Sequence, residues 1–360
     1  MSKLIGVILI NYKDYAAKYL EACFASLQKQ RLGNFSYRVY IVDNASSPES
    51  LAFLKKNYPD INIFPRPDGN YAAANNLGIK MALADACDYV TILNMDTELD
   101  PDCLFEMATA LGSDSQIGIV QAKILLHEAN QDKSASLLNS IGNLVHFLGF
   151  GFTRGYGQRE EAFRQFLESA PYPEIKGYAS GCALMMKKEL IAKIKGYNEE
   201  YYMYHDDLEL GLKARLAGYK IVLAPLARIY HKYEFKRSIK MVYYMERNRC
   251  LFVLSFYPWA LIILLSLPLF LMNLGMIFYA LVGGWFPDLS KAYRYYLRPG
   301  TYRLIFQERR NIRSFQVVPF KEIAKDFVGQ INFQEINNPL LRYIANPILG
   351  LYWRLVKLII

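Results

Sequence analysis

The chain has 360 residues, 53% of them hydrophobic and 21% charged, which excludes collagen-like, disordered and small disulfide-framed classes and allows two or three structural units with a sizeable core. Its net charge of +9 is unevenly spread: residues 1–231 carry 24 Lys/Arg against 26 Asp/Glu, whereas residues 232–360 carry 18 against 7. A uniformly basic nucleic-acid binder is not built this way, and no nucleic-acid partner is expected.

Met1-Ser2-Lys3 leads into the apolar run Leu4 to Ile10, too short for a secretory signal and better read as a buried strand. An apolar-periodic helix around 15–30 follows, then a strand at 37–42, a helix at 48–57, a strand at 61–64, a helix at 71–85 and a strand at 89–93. Strands alternating with helices at this spacing predict an α/β fold, a parallel sheet with helices on both faces. Ligands of such sheets bind beyond the carboxyl ends of the strands, so Asn11-Tyr12, Asp43-Asn44 and Asn94-Met95-Asp96 should share one rim. No Gly-rich dinucleotide fingerprint follows the first strand.

On that rim Asp96 suits ligation of Mg²⁺ or Mn²⁺ beside a diphosphate, or the capping of the next helix. Asp100-Pro101 reads as N-cap and first helical residue, which leaves Asp96 without a structural task. Asp43 is either a turn residue or an acceptor for a base N–H. The small residues around Ser180-Gly181-Cys182 allow close backbone approach by a ligand, or simply a tight turn. In His205-Asp206-Asp207-Leu208-Glu209, Asp206 and Glu209 fit a capping box and Glu209 can pair with Lys213. Asp207, at the first helical position, has no such explanation and is a candidate general base. His231 follows the strand Lys220 to Leu223 and the loop Ala224-Pro225; it is either structural or a second metal ligand beside Asp96.

The five cysteines lack metal-site or disulfide-framework spacing and read as reduced thiols in a cytosolic setting. From Leu251 to Phe286 no Asp, Glu, Lys or Arg occurs, and Trp259 to Val282 is long enough to cross a bilayer. Basic segments flank it on both sides, so an insertion that re-enters, broken near Pro268, fits better than a single span. A buried helical hairpin is the alternative. Leu340 to Ile360 reads as an amphipathic interfacial helix interrupted at Pro347, or as a helix packed on its own core.

Seven segments in order, Ile8-Leu9-Ile10-Asn11-Tyr12, Ile41 to Ser46, Ala72-Ala73-Ala74-Asn75-Asn76-Leu77-Gly78, Asn94 to Glu98, Ser180-Gly181-Cys182, His205 to Glu209 and Tyr230-His231, together resemble family 2 glycosyltransferases of the GT-A fold, and Tyr244 to Arg249 resembles the bacterial rhamnosyltransferase-like branch. The resemblance implies a GT-A catalytic domain over 1–235, with a nucleotide-binding half at 1–120 and an acceptor-binding half at 121–235. A helical, basic, membrane-associating region at 236–360 would hold the insert at 251–286 against the cytoplasmic face of the plasma membrane. The implied activity is metal-dependent, inverting transfer of a hexosyl or deoxyhexosyl group from a dTDP-, UDP- or GDP-sugar to a lipid-linked or polysaccharide acceptor in cell-surface polysaccharide synthesis.

By the same resemblance Asp43 would bind the base, and Asn11 and Tyr12 would line its pocket through their backbone. Asn75, Asn94, Met95, Asp96 and Gly181 would complete the nucleotide-sugar site, and Asp96 with His231 would hold Mg²⁺ or Mn²⁺. Asp207 would be the base, with Asp206 and Glu209 supporting it and touching the acceptor. Two positions depart from the family pattern: Asn94 replaces an acidic residue, and Asn70 stands where Gly is usual, tolerable if Asn adopts left-handed geometry. A sugar nucleotidyltransferase would share the topology but carry a Gly-rich loop after the first strand, which Asn11 to Tyr15 lacks. A catalytically silent scaffold would be expected to lose Asp96, Asp207 or His231, and all three are present.

Overall fold

The computed structural model describes residues 2–127, 136–233, 241–331 and 339–360. Parts of two segments singled out above, 128–135 in the acceptor half and 234–240 in the basic flank, lie outside the described residues. The first strands and helices are β1 (Lys3–Tyr12), α1 (Glu21–Gln28), β2 (Phe35–Asn44), α2 (Pro48–Asn57), β3 (Asn62–Arg66), α3 (Tyr71–Ala84) and β4 (Tyr89–Leu93). Then come β5 (Thr97–Leu99), α4 (Cys103–Ser113), β6 (Ile117–Leu126), β7 (Leu138–Ser140), β8 (Asn143–Val145), β9 (Gly151–Thr153), α5 (Arg164–Leu167), β10 (Ala183–Lys187), α6 (Lys188–Ile194), α7 (Asp206–Leu216) and β11 (Lys220–His231). Seven further helices follow: α8 (Val242–Phe256), α9 (Trp259–Leu264), α10 (Ser266–Val282), α11 (Phe286–Tyr295), α12 (Pro299–Phe315), α13 (Phe320–Ala324) and α14 (Asn346–Val356).

The main sheet has the order β3-β2-β1-β4-β10-β6-β11-β5, with β7 added beside β6. As the alternating pattern predicts, β1 to β4 are mutually parallel. Beyond them the sheet is mixed: β10 is antiparallel to both β4 and β6, and β11 runs parallel to β6. The antiparallel insertion of β10 brings its N-terminal end, preceded by Gly181, to the rim formed by the carboxyl ends of the parallel strands. That rim is where the order switches direction around β1, the position at which open α/β sheets bind ligands.

Central strands of such a sheet are covered on both faces, and Ile5 to Leu9 are accordingly buried without alternation. The close seat of α3 on β1 depends on two glycines. A Cβ at Gly78 would lie 2.5 Å from Ile8 Cγ2, and one at Gly6 would lie 2.7 Å from Ala82 Cβ. This approach sets the height of the α3 N-terminus above the ends of β1 and β4.

Local signals explain where the elements begin, and where sequence reading goes astray. The helix expected at 48–57 is found there because Ser47 and Ser50 cap each other and Pro48 opens the first turn. Asp100, by contrast, is not an N-cap. Helix α4 starts at Cys103, its amide bonded to the Asp100 carbonyl, and the Leu104 amide is satisfied by Gln30 Oε1 from outside the helix. The helix expected at 15–30 is a π-helical turn over Ala16–Leu20 followed by α1. Ala224-Pro225 is not a loop but part of β11, accommodated by a register shift between Ala224 and Arg228. Asn70 is extended (φ −73°) and caps α3 through its side chain, while the left-handed residue is Gly69 (φ +72°).

The described residues divide into two compact units, one comprising Met1–Asn143, Thr153–Arg215 and Tyr219–Glu234, the other Leu144–Phe152, Leu216–Gly218 and Phe235–Ile360. Within the second, Arg249 is buried and donates to both carboxylate oxygens of Glu246, to the Leu148 carbonyl and to Asn273 Oδ1 at 2.6 Å. The Tyr244 to Arg249 segment therefore includes a buried polar knot that joins α8 to the 144–152 hairpin and to α10. The uncharged run beginning at Leu251 splits in character: Leu251 to Tyr257 belongs largely to the core of this unit, whereas much of α10 is exposed.

Among the described residues no helix is long and apolar enough to cross a membrane. The interruption falls at Leu265, between α9 and α10, rather than at Pro268. Pro268 occupies the first turn of α10, where its missing N–H has no intrahelical partner to lose. At the C-terminus Pro347 likewise opens α14 after a π-helical turn, Leu341–Ala345, instead of breaking a helix.

The packing at Gly78 makes a direct prediction. Gly78→Ala should destabilise the protein to urea by about 1–3 kcal/mol, the usual cost of overpacking, and Ile8→Ala in the same chain should recover part of that loss. Additive losses in the double variant would exclude this contact as the cause.

Candidate active site

The rim begins with a pair fixed by strand register. Asn11 and Asp43 face each other across β1 and β2, and Asn11 Nδ2 donates to Asp43 Oδ1 at 2.7 Å. Asp43 Oδ2 accepts from Ser46 Oγ at 2.6 Å and Ser50 Oγ at 2.8 Å, so the capping serine of α2 also orients the carboxylate. Asn11 Oδ1 receives the Ala16 amide, and Nδ2 also reaches the Lys13 carbonyl. Both side chains are buried. Three donors occupy Asp43, and a carboxylate offers about four acceptor positions, which leaves one unfilled by the residues around it. The Asn11 side chain has an internal bracing task that the sequence did not reveal. Tyr12, half-buried, lies near Gly69, where a Cβ would stand 3.6 Å from its ring and 2.8 Å from Tyr202 Oη.

Past β4, the Asn94 amide bonds the Cys182 carbonyl and Asn94 Oδ1 accepts from Tyr71 Oη at 3.3 Å. Met95 turns into the core. Asp96 Oδ1 stands 3.2 Å from His231 Nε2, and the other ring nitrogen of His231 is 2.8 Å from Asn139 Oδ1. Burial would strip the imidazole of its proton, but Cys182 and Asp96 against the ring outweigh it and raise the pKa to about 10. In this state the Nε2 proton lies between the ring and Asp96; a divalent ion would take that proton's place, and the pair would then present one oxygen and one nitrogen donor. Among the described residues no three His, Cys, Asp or Glu side chains converge on a metal position. An ion here would thus need further oxygen ligands from a diphosphate and water, which is how Mg²⁺ is usually held. The donor set fits Mg²⁺ or Mn²⁺ on those terms. Asn75 is enclosed rather than open to the rim: its Nδ2 donates to the Tyr71 carbonyl, and its Oδ1 has no partner among the described residues.

The acidic turn sits at the start of α7. Helix α7 begins at Asp206, so Asp206 is its first residue rather than the cap before it, and the Glu209 amide bonds the His205 carbonyl. Glu209 does not reach back as a capping box. It is fully buried and pairs with Lys213 at 2.9 Å, whose ammonium also donates to the Gly196 carbonyl at 2.6 Å. That burial leaves no part of Glu209 exposed on the rim. Asp207 is half-buried and held by two amides, Leu208 N–H at 2.8 Å and Gly181 N–H at 3.2 Å. Burial pushes its pKa up to about 6, against the pull of those amides. Asp206 is raised well above the ordinary carboxylate range, by burial first and then by the neighbouring Asp207 and Glu209 charges. Two adjacent carboxyls thus differ in character, one ionised near neutrality and one retaining its proton to higher pH.

Glycine at 181 is not demanded by the protein's own packing. A Cβ there would meet only Asp207, at 3.5 Å, in ordinary contact. Upstream, the backbone is strained: Tyr202 has φ 63° and ψ −63°, with Met203 N–H bonded to the Tyr201 carbonyl, a γ-turn of the rare sense. Tyr204 (φ 63°) and His205 (φ 58°) are also left-handed. The segment is fastened to α3, since the Ala72 amide donates to the Tyr202 carbonyl and Asn76 bonds both the amide and carbonyl of Tyr197. Asn76, Tyr71 and Asn139 are site-shaping residues to which the sequence reading gave no role. Asn76 had a signal, the paired asparagines on α3; Asn139 had none.

The raised Asp206 has a consequence for stability. A carboxyl whose folded pKa exceeds the unfolded value near 3.9 contributes stability in full below that value and loses it as pH rises toward the folded pKa. Asp206→Asn should therefore gain on the parent with rising pH, by about 2–4 °C in Tm at pH 8 for each kcal/mol removed, and gain nothing at pH 4. A Tm difference constant between pH 4 and pH 8 would contradict the proton assignment.

Residues 6–194 match the family model described as Glycosyl transferase family 2. The chain is 26% identical over 244 residues to the N-acetylglucosaminyl-diphospho-decaprenol L-rhamnosyltransferase of Mycobacterium tuberculosis, covering 64% of this chain and 76% of that protein. It is 23% identical over 258 residues to the low-salt glycan biosynthesis hexosyltransferase Agl10 of Haloferax volcanii, covering 69% of this chain and 74% of the relative. Among solved structures, GalNAc-T7 with UDP, GalNAc and Mn²⁺ superposes with a TM-score of 0.55 at 13% identity, over 71% of this chain and 48% of the other, a likeness of fold.

Proposed function

The chain belongs to glycosyl transferase family 2, and on that premise we propose that it transfers a hexosyl or deoxyhexosyl group, with inversion, from a nucleotide-diphosphate sugar to a hydroxyl of a lipid-linked saccharide. The observation that carries this reading is Asp207, a half-buried carboxylate on the rim, oriented by two backbone amides and poised near neutrality. In the proposed step the acceptor oxygen attacks the anomeric carbon as Asp207 takes its proton, and the bond to the leaving nucleoside diphosphate breaks on the opposite face. No covalent enzyme intermediate forms. A protonated Asp206 spares Asp207 a second negative neighbour, and the buried Glu209–Lys213 pair holds the turn in place.

The donor nucleotide, dTDP-, UDP- or GDP-linked, would lie along the rim with its base against Asp43 and Tyr12 and its sugar between Asn94 and Gly181. Asp96 and His231 would hold Mg²⁺ or Mn²⁺, which when bound supplies charge neutralisation to the departing diphosphate. The Mn²⁺ in the GalNAc-T7 structure is consistent with this use of a divalent ion by the fold. A rhamnosyl donor and a polyprenyl-diphosphate acceptor are supported by the name of the mycobacterial relative. We assign the enzyme to the cytoplasmic face of the membrane; contact with a membrane surface is supported by the second unit, where Leu267, Phe270, Leu271, Phe278 and Val282 form an exposed apolar stripe on α10 and Ile348, Leu351 and Leu355 another on α14. At about 1.5 Å per residue α10 is about 25 Å long, which favours insertion into one leaflet over crossing.

Asp207→Asn should lower turnover by about 10²–10⁴-fold, the range for loss of a general base, while donor affinity in calorimetry stays unchanged. A fully active Asp207→Asn enzyme would remove the assignment. Asp96→Ala should instead abolish the Mn²⁺-dependent part of donor binding, measured across UDP-, dTDP- and GDP-sugars; equal binding with and without Mn²⁺ in the parent would discard the metal pair.

A further inference from the structure

The C-terminal unit contains a cavity of about 400 Å³ between the end of α8, the second half of α12 and the start of α13. Its wall combines three cations, Arg309, Arg313 and Lys321, with Ser255, Phe256 and Phe320. Arg309 has a structural duty, donating to the Leu254 and Tyr257 carbonyls at the C-terminal end of α8. Arg313 and Lys321 are exposed, and among the described residues none of the three forms an ion pair. The acid nearest Lys321 in sequence, Glu322, is taken by Lys325 at 2.7 Å. Arg309 lies below its usual range, through burial first and the Arg313 charge second, as expected of cations facing each other.

A second observation points to a ligand. Ser255 is 3% exposed, lines the same cavity, and its hydroxyl has no partner among the described residues. A buried hydroxyl without a partner and three cations without an ion pair in the wall of one cavity suit an oxyanion, which accepts from the hydroxyl and neutralises the charge. The surroundings say what the oxyanion is attached to. The Arg309 guanidinium lies 4.3 Å from the centre of the Trp259 ring, and Trp259 packs 6.3 Å from Phe306, both rings about half exposed. Trp259 begins the helices whose apolar side chains face outward.

We infer that this pocket binds the phosphate of an anionic lipid headgroup, with Trp259 and Phe306 lying among the adjoining acyl chains. The inference rests on the membrane-surface reading above and gives it a specific point of attachment. Diffuse attraction of basic residues to a negative surface would not need a cavity or a buried hydroxyl.

The test is flotation of the full chain with phosphatidylcholine vesicles with and without about 30% phosphatidylglycerol, an anionic surface of the kind that attracts basic segments. The parent should float with the anionic vesicles. The variant Arg313→Gln/Lys321→Gln should bind them at least about fivefold more weakly than Arg303→Gln/Arg310→Gln, which removes the same charge from exposed α12 positions outside the pocket. Equal losses in the two variants, or none in either, would overturn the pocket while leaving membrane association intact. A parent that floats with neither vesicle would overturn the membrane reading itself. Calorimetric binding of inorganic phosphate that needs Arg313 and Lys321, without vesicle binding, would make this a site for a soluble phosphate and overturn the lipid assignment.

Discussion

Asp206, Asp207 and Glu209 stand within one turn at the start of α7, and burying three like charges side by side is unfavourable unless each finds its own relief. Glu209 finds it in Lys213, Asp207 in two backbone amides, and Asp206 in keeping its proton. The helix N-terminus contributes a positive end to all three. The three reliefs produce three different groups from nearly identical chemistry: a buried ion pair, an ionisable base and a neutral carboxyl. Only the middle one keeps part of its surface exposed.

This division explains the cost carried elsewhere in the site. The run from Tyr202 to His205 holds three non-glycine residues at positive φ, a conformation that persists only when its surroundings enforce it. The enforcement comes from α3, through Ala72, Asn76 and the Asn70 cap, and α3 in turn is seated on β1 by Gly6 and Gly78. A chain of close contacts thus runs from the centre of the sheet to the carboxylates on its rim. The Asn11–Asp43 and Asp96–His231 pairs are placed by strand register and strand ends, and are braced locally by Ser46, Ser50 and the Ala16 amide in the one and by Asn139 in the other.

Much of the sheet was legible because buried parallel strands are continuous β-branched and aromatic runs, such as Val39 to Val42, and because α2 carries its own cap at Ser47. Where the deciding partner lies far away in sequence, reading failed. The start of α4 is satisfied by Gln30, and β11 continues through Pro225 because a bulge absorbs it. The Asp206–Asp207–Glu209 cluster was visible as chemistry and the Glu209–Lys213 pair was legible from its i,i+4 spacing, but the capping box drawn from the same stretch does not form. Nothing in a tyrosine-rich segment without glycine announces left-handed backbone. Exposure was equally hidden: the uncharged run from Leu251 reads as one hydrophobic block, but its first turns close a core around Arg249 and only its later helices face outward.

The central claim is that Asp207 is ionised where its neighbour is not, and that this proton-accepting state drives transfer. The pH dependence of kcat/KM for sugar transfer tests it most directly. The account predicts an acidic limb with an apparent pKa of about 6, the value to which burial raises Asp207. A rate that stays flat from pH 8 down through the ordinary carboxylate range near pH 4 would contradict it.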